Sequence, residues 1–396
     1  MDPDMPWYSS PSPYLLFSSL LALLALLVVP HLSHHRRPLL SSCFVTSRVG
    51  RGTPICVLAS PCHPESNMKT VGSQNYHTFS ACSRPELWQV LEDETHPLNA
   101  AWPVFLDQDT CFQRYHRQLA KYDGLAEFQY AVVEEICGHE KVIACGRSIP
   151  FYWPELDQVG GRAGLNSHPE LWNTLPDTGY DAILSRGVNQ YLRRQGILSL
   201  ESAKSPSGPQ TVEYIDGVCN LSDPPNALSA ISITIHPDYR SLGIAESLIQ
   251  TMKQAARRRN LQILVVPLRP TRKSDYPFVS MEEYITWSQR PRKEDIDLPF
   301  DPWLRKHVRL GGKIVKVAHK SMHVEGSIAA WQQWTQCDQW KSHASSIKLE
   351  NHTNRLYIDF SFPGGLSPLR LYVQENRCVY TEPNVWLYHE VHKLST

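Results

Sequence analysis

Three features of the sequence predict an α/β fold: a central mixed, twisted sheet with flanking helices and further C-terminal elements. First, Ala230 to Ile235 alternates through Ile231, Ser232, Ile233, Thr234 and Ile235, which is the period of a strand. Second, a helix follows with Ile244, Leu248, Ile249, Met252 and Ala256 on one stripe. It ends in Arg257, Arg258 and Arg259, where cations suit the negative end of the dipole. Third, Leu261 to Val266 is a continuous apolar run, as expected of a central strand buried on both faces. Strand, turn, helix and strand in that order make a β-α-β crossover, the connection that parallel strands require.

The remaining elements follow in chain order. Glu86–Asp93 and Asp109–Lys121 carry helical spacing of apolar residues. Phe128–Glu134 and Lys141–Phe151 are rich in strand formers and predict a hairpin turning at Gly138-His139. Asp177–Gln195 reads as an amphipathic helix, and Glu201–Gln210 as a loop by its Ser, Pro and Gly. Asp301 is an N-cap, Pro302 a first helical residue and Gly311 a left-handed stop, so a short helix is predicted between them, with a strand over Lys313–Val317.

Composition removes several classes. The chain has 396 residues with 39 Lys+Arg against 39 Asp+Glu, and this neutrality argues against a dedicated nucleic-acid binder. A hydrophobic share of 42% is too high for a disordered chain. Its 10 cysteines are too sparse for a disulfide scaffold and form no C-x-x-C pair, so neither such a scaffold nor a zinc site is expected. Cys137, Cys145 and Cys219 read as small apolar packing residues.

Residues 1–67 stand apart from the body, which is read as a single domain over 76–396. Within them the apolar segment 14–29 is short of the roughly 20 residues of a spanning helix. It is open to four readings: a membrane or signal anchor, an organelle transit segment, a cleaved secretory signal, or an extension without structural role ahead of Met68. The basic cluster His34-His35-Arg36-Arg37 follows it, so an inserted helix would leave the body on the cytoplasmic side.

The turn of the crossover carries the chemistry. Arg240-Ser241-Leu242-Gly243-Ile244-Ala245 opens a helix whose first N–H groups are unpaired and whose dipole favours an anion. Gly243 permits close approach of a bulky anion, and Ala245 keeps the first turn open, an arrangement suited to a pyrophosphate. No Gly-Lys-Ser/Thr follows, and the three glycines of a dinucleotide fingerprint are missing.

The stretch Ile235 to Ala245 resembles the acetyl-CoA motif R/Q-x-x-G-x-G/A of the GNAT (GCN5-related) N-acetyltransferase superfamily. Supporting it, His307-Val308-Arg309-Leu310-Gly311-Gly312 is similar to the family's late Y-x-x-x-G-F pattern, with His307 at the Tyr position and Gly312 in place of Phe. About three quarters of the chain, from Phe79 to Val391, looks like a bacterial and fungal subgroup of unassigned substrate.

The resemblance implies an acyl-CoA-dependent N-acetyltransferase using acetyl-CoA as cosubstrate and no metal, with a small-molecule amine attacking the thioester directly. It implies that the backbones of Ile233 and Ile235 bind the pantetheine, and that Arg240, Ser241, Leu242, Gly243, Ile244 and Ala245 hold the pyrophosphate. His307 becomes the expected general acid. Candidates for the base are Glu213, His236, Glu282 and Glu283. Arg269-Pro270-Thr271-Arg272-Lys273 is either an ordinary loop or a contact to the 3′-phosphate of CoA or an acidic substrate. Trp287, Trp303, Trp331, Trp334 and Trp340 are expected chiefly in the core. Two alternatives stand beside catalysis: a GNAT-like acyl-CoA or ligand-binding protein without turnover, and a membrane-tethered interaction protein. The acceptor and the oligomeric state are not encoded legibly in these residues.

Overall fold

The computed structural model describes residues 76–198, 217–289, 298–336, 347–351 and 353–391. All of these fall within the unit Val71–Thr396. Residues 1–67, with segment 14–29 and its candidate roles, lie outside the described residues, as do Glu213 and Trp340. Among the described residues no helix is long and apolar enough to cross a membrane.

Among the described residues the predicted α/β architecture is built on ten strands: β1 Tyr76–Ser80, β2 Gln129–Ile136, β3 His139–Phe151, β4 Ala227–Ile235, β5 Ile263–Leu268, β6 Lys313–Gly326, β7 Lys348–Leu349, β8 Leu356–Phe360, β9 Leu369–Tyr372 and β10 Arg377–Glu390. Their order is β1-β2-β3-β4-β5-β10-β9-β8-β7, with β6 also paired to β10. The sheet is mixed, because β4 and β5 are parallel while the pairs around them are antiparallel. Flanking helices are α1 Thr110–Tyr115, α2 Gly179–Arg194, α3 Ile244–Arg258, α4 Met281–Thr286, α5 Pro302–Arg309 and α6 Ile328–Thr335.

Local chemistry explains most boundaries. β2 and β3 join through Cys137 (φ 51°) and Gly138 (φ 79°), both left-handed, the turn that matches strand twist. The turn therefore lies one residue earlier than the sequence suggested, and Cys137 sits exposed on it instead of packing. Cys145 and Cys219 are buried. Asp301 caps α5 by accepting from the N–H groups of Trp303 (2.8 Å) and Leu304 (3.1 Å), and Gly311 ends it at φ 84°.

The segment over 86–93 is not one helix but a turn of α-helix, Pro85–Trp88, running into 3-10 helix, Gln89–Glu92. The segment over 109–121 divides into α1 and a short helix, Gln118–Lys121. β5 starts at Ile263 because Leu261 closes the end of α3, its N–H on the Ala256 carbonyl. Gln262 is engaged at both ends, its N–H on the Asn226 carbonyl and its Oε1 accepting from the Arg162 N–H.

The stripe on α3 (Ile244, Leu248, Met252, Ala256) packs on Ile143, Leu228, Leu264 and Val266, with Tyr284 of α4 and Leu304 of α5 closing the same core. The C-terminal additions rest on β10. One of its edges carries β6, while the other pairs with β5 over Val385–Glu390 and with β9 over Arg377–Val379. Phe105 meets Phe362 and Tyr380 edge-on there and Trp331 at a tilt, at ring separations of 5.0, 5.2 and 5.6 Å.

Candidate active site

The site starts from how β4 and β5 are joined. Their parallel pairing is confined to Leu228↔Leu264 and Ser229↔Val265. Beyond that, β4 continues to Ile235 paired only to β3, through a register shift between Arg147 and Ser148. The edge of β4 over Ile233–Ile235 that faces β5 is thus left without strand partners, an opening that a main-chain-like ligand can hydrogen-bond. Ile233 and Ile235 are half-buried and pack toward α3. Thr234 points the other way, where its Oγ1 accepts from Trp102 Nε1 at 3.1 Å.

The strand runs out into a 3-10 turn, Pro237–Tyr239, and the predicted anion turn. Arg240, Ser241, Leu242 and Gly243 are exposed there, whereas Ile244 and Ala245 are buried in the first turn of α3. Ser241 (φ 67°) and Gly243 (φ 80°) are both left-handed. Gly243 is the N-cap of α3, and no side chain caps it. The first intrahelical bond runs from the Ser247 N–H to the Gly243 carbonyl at 3.0 Å; the Glu246 N–H meets its own carboxylate, and the N–H groups ahead of it, from Ser241 to Ala245, have no backbone partner among the described residues. A Cβ on Gly243 would meet nothing within 4 Å, so the turn is open space. Unpaired donors, an open turn and an unpartnered strand edge fit the pantetheine and pyrophosphate of an acyl-CoA.

α5 reaches this turn through Lys306, which donates to Glu246 of α3. Burial is the largest single influence on Glu246 and opposes its ionisation, but the Lys306 hydrogen bond, a backbone hydrogen bond and the Lys306 charge together outweigh it and hold the carboxyl below its usual value. The next residue, His307, is 1% exposed. Its Nδ1 lies 2.9 Å from Nε2 of His389 on β10, and Trp303 meets its ring edge-on at 4.6 Å. Burial first, then His389 and Lys306, hold His307 well below the usual imidazole range. Burial, with Lys253 adding, lowers His389 to about 4. Both rings are therefore neutral at pH 7. His389 faces Leu264 across the sheet, and Leu264 faces Leu228, so the pair is level with the closed end of the β4/β5 opening.

An arginine N-acetyltransferase of Aspergillus versicolor, avaD, is 31% identical over 320 residues, covering 80% of this chain and 94% of its own. This chain belongs to the GNAT superfamily. It is an acetyltransferase, and this sets aside the binding-only alternative. Among solved structures, the GNATL loading domain of CurA from Lyngbya majuscula gives a TM-score of 0.37 at 13% identity, over 80% of this chain and 98% of that one. A polyamine N-acetyltransferase of Drosophila melanogaster gives 0.33 at 12%, over 80% and 100%. Likenesses that loose carry no argument about chemistry. No protein-family model matches the chain.

Several expected groups of this GNAT protein are engaged elsewhere. Among the base candidates, His236 accepts from the Asp238 N–H at 3.4 Å, and its ring packs on Tyr239. Glu282 bonds His319, and Glu283 is exposed at the start of α4. The cations after β5 have partners within the chain, although Arg272 and its partner Asp275 both stay exposed. Arg269 is paired to buried Glu382 and donates to the Gly364 carbonyl, while Arg272 pairs with Asp275. Lys273 is buried, donating to the carbonyls of Tyr276 and Leu366 at 2.8 and 2.7 Å. Desolvation accounts for this: a cation that enters the interior takes internal acceptors.

One group of potential ligand atoms occurs among the described residues, Asp109, Cys111 and Asp181, within 4.8 Å of one another. Asp109 there accepts from the N–H groups of Phe112 (2.8 Å) and His323 (2.9 Å), capping α1 and tying it to β6. Sequence reasoning missed His389, Glu382 and Trp102. Each meets its partner across more than 80 positions, and no local pattern marks such a pairing.

Proposed function

We propose that this chain transfers an acetyl group from acetyl-CoA to an amine of a small molecule bearing a guanidino group, with free arginine as the first candidate. The observation that carries the cosubstrate is the β4/β5 opening running into a left-handed, uncapped helix N-terminus. The acceptor class is supported by the relative of 31% identity that is named for arginine. In this reading the backbones of Ile233 and Ile235 bind the pantetheine as an added strand would. The N–H groups of the turn from Arg240 to Ala245 hold the pyrophosphate, and the Arg240 side chain is exposed beside it for a charge-assisted contact. Proton transfer falls to His307, at the place the family reserves for its acid.

The test is a free-thiol release assay with acetyl-CoA and a panel of arginine, agmatine, lysine and spermidine, with the product identified by mass. Turnover with arginine and a mass gain of one acetyl group supports the reading. Stabilisation by acetyl-CoA in thermal melts without turnover on any amine refutes the acceptor class. No stabilisation by any acyl-CoA refutes the site itself.

A further inference from the structure

We propose that His307 carries the amine proton to the departing thiolate, acting as base and then as acid, and that His389 prepares it by accepting its Nδ1–H so that Nε2 is left as a lone pair. This rests on the acetyltransferase reading above. It changes the expected role of His307 from acid alone to shuttle, and it gives a positioning role to His389.

The argument is one of proton counting. Two neutral imidazoles share the 2.9 Å contact between His307 Nδ1 and His389 Nε2, so one nitrogen donates and the other accepts. Their outer nitrogens, His307 Nε2 and His389 Nδ1, are buried and have no hydrogen-bond partner among the described residues. One shared contact allows two placements of its proton, and only donation from His307 Nδ1 to His389 Nε2 leaves the buried Nε2 of His307 as a lone pair able to take up a proton.

The charged groups acting on the pair are Lys306 of α5 and Lys253 of α3, and both disfavour a second proton. The resting pair is neutral, and the imidazolium formed in reaction is a strong acid. The steps balance. The amine nitrogen bonds the thioester carbon, the C–S bond breaks, the proton shed by nitrogen goes to His307 Nε2, and from there it goes to the sulfur. His307 ends neutral, as it began.

The test reads the tautomer directly. In nitrogen-15 spectra of imidazole rings of the whole chain, with His307 assigned by its loss in His307→Gln, the Nδ1–H tautomer is expected at neutral pH. His389→Gln, whose amide oxygen still accepts, should keep it, and His389→Met should lose it. In parallel, His389→Met should lower kcat by at least about tenfold, within the roughly 10²-fold to 10⁴-fold that positioned proton transfer supplies. The KM for acetyl-CoA should change by less than about threefold, and His389→Gln should restore most of kcat.

An Nε2–H tautomer or a charged ring in the wild type overturns the proposal, as does normal kcat in His307→Gln or His389→Met. Should the methionine variant not fold, the wild-type tautomer and the glutamine variants decide. Absence of turnover with every amine of the panel in the wild type refutes the proposed acceptor class instead, and the tautomer still decides the pairing.

Discussion

Gly243→Ala separates the work of the anion turn from the work of the chemistry. The residue sits at φ 80°, ψ 2°, and an added Cβ meets nothing within 4 Å, so the substitution costs conformation and not space. Holding an L-residue there costs about 1–2 kcal/mol. The stiffer unfolded chain returns about 0.4–1 kcal/mol of that. The net is a loss of about 0.5–1 kcal/mol, or a Tm fall of about 1–4 °C in a domain of this size. If the free turn relaxes out of the left-handed region, binding acetyl-CoA must restore it. The KM for acetyl-CoA then rises about 5–30-fold, the factor that 1–2 kcal/mol commands, with kcat unchanged at saturation. Ser241, already at φ 67°, supplies the control. Ser241→Gly removes strain but loosens the unfolded chain by a similar amount, so its stability should stay within about 0.5 kcal/mol of wild type. Thermal melts and initial rates with acetyl-CoA varied at saturating amine measure both. A fall in kcat at constant KM would refute the anion-holding role of the turn, and a Tm loss above about 5 °C would refute the claim of open space.

Three further expectations follow from buried polar groups. Glu382 is 0% exposed and holds Arg269 and the Tyr380 hydroxyl, so Glu382→Ala should cost about 3–5 kcal/mol in urea unfolding, and a cost under about 1 kcal/mol would show the guanidinium finding other acceptors. Trp102→Phe and Thr234→Val each remove one end of the same 3.1 Å hydrogen bond; each should cost about 0.5–1.5 kcal/mol, and the double variant less than their sum. The histidine pair sets an acid limit: His389 titrates near 4 when folded and near 6.5 when unfolded, so the unfolded state binds the extra proton and stability falls as pH drops through that window. The loss reaches about 3 kcal/mol at pH 4 from His389 alone. Urea midpoints at pH 7 and pH 5 should show the slope in wild type and a flatter one in His389→Gln; equal slopes would place the acid sensitivity elsewhere.

The crossover was legible because every signal in it is local. Alternation in β4, the stripe of α3 and the glycine turn between them act over neighbours a few positions apart, and so do the Asp301 cap and the Gly311 stop of α5. Short segments with weak periodicity, such as 86–93 and 109–121, were not legible, because a single turn of helix holds only by what it packs on. The exposed, left-handed turn from Arg240 to Gly243 was legible from residue types alone. The opening beside it was not, since it exists only because β4 and β5 separate after Ser229 and Val265.

The same division holds for the charged and titratable groups. The sequence by itself determined which cations and imidazoles are present and set Arg240 on a turn and His307 on a short capped helix. Folding decided their use. Arg269 and Lys273 went inside, to Glu382 and to two carbonyls, while Arg240 stayed at the surface. His307 acquired a partner 82 positions away, on a strand placed beside it by pairing with β5. Periodicity, caps and turns are properties of adjacent residues, so they can be read along the chain. Burial and sheet partners are properties of the whole packed molecule, and these are what turn a histidine on a helix into one half of a neutral pair.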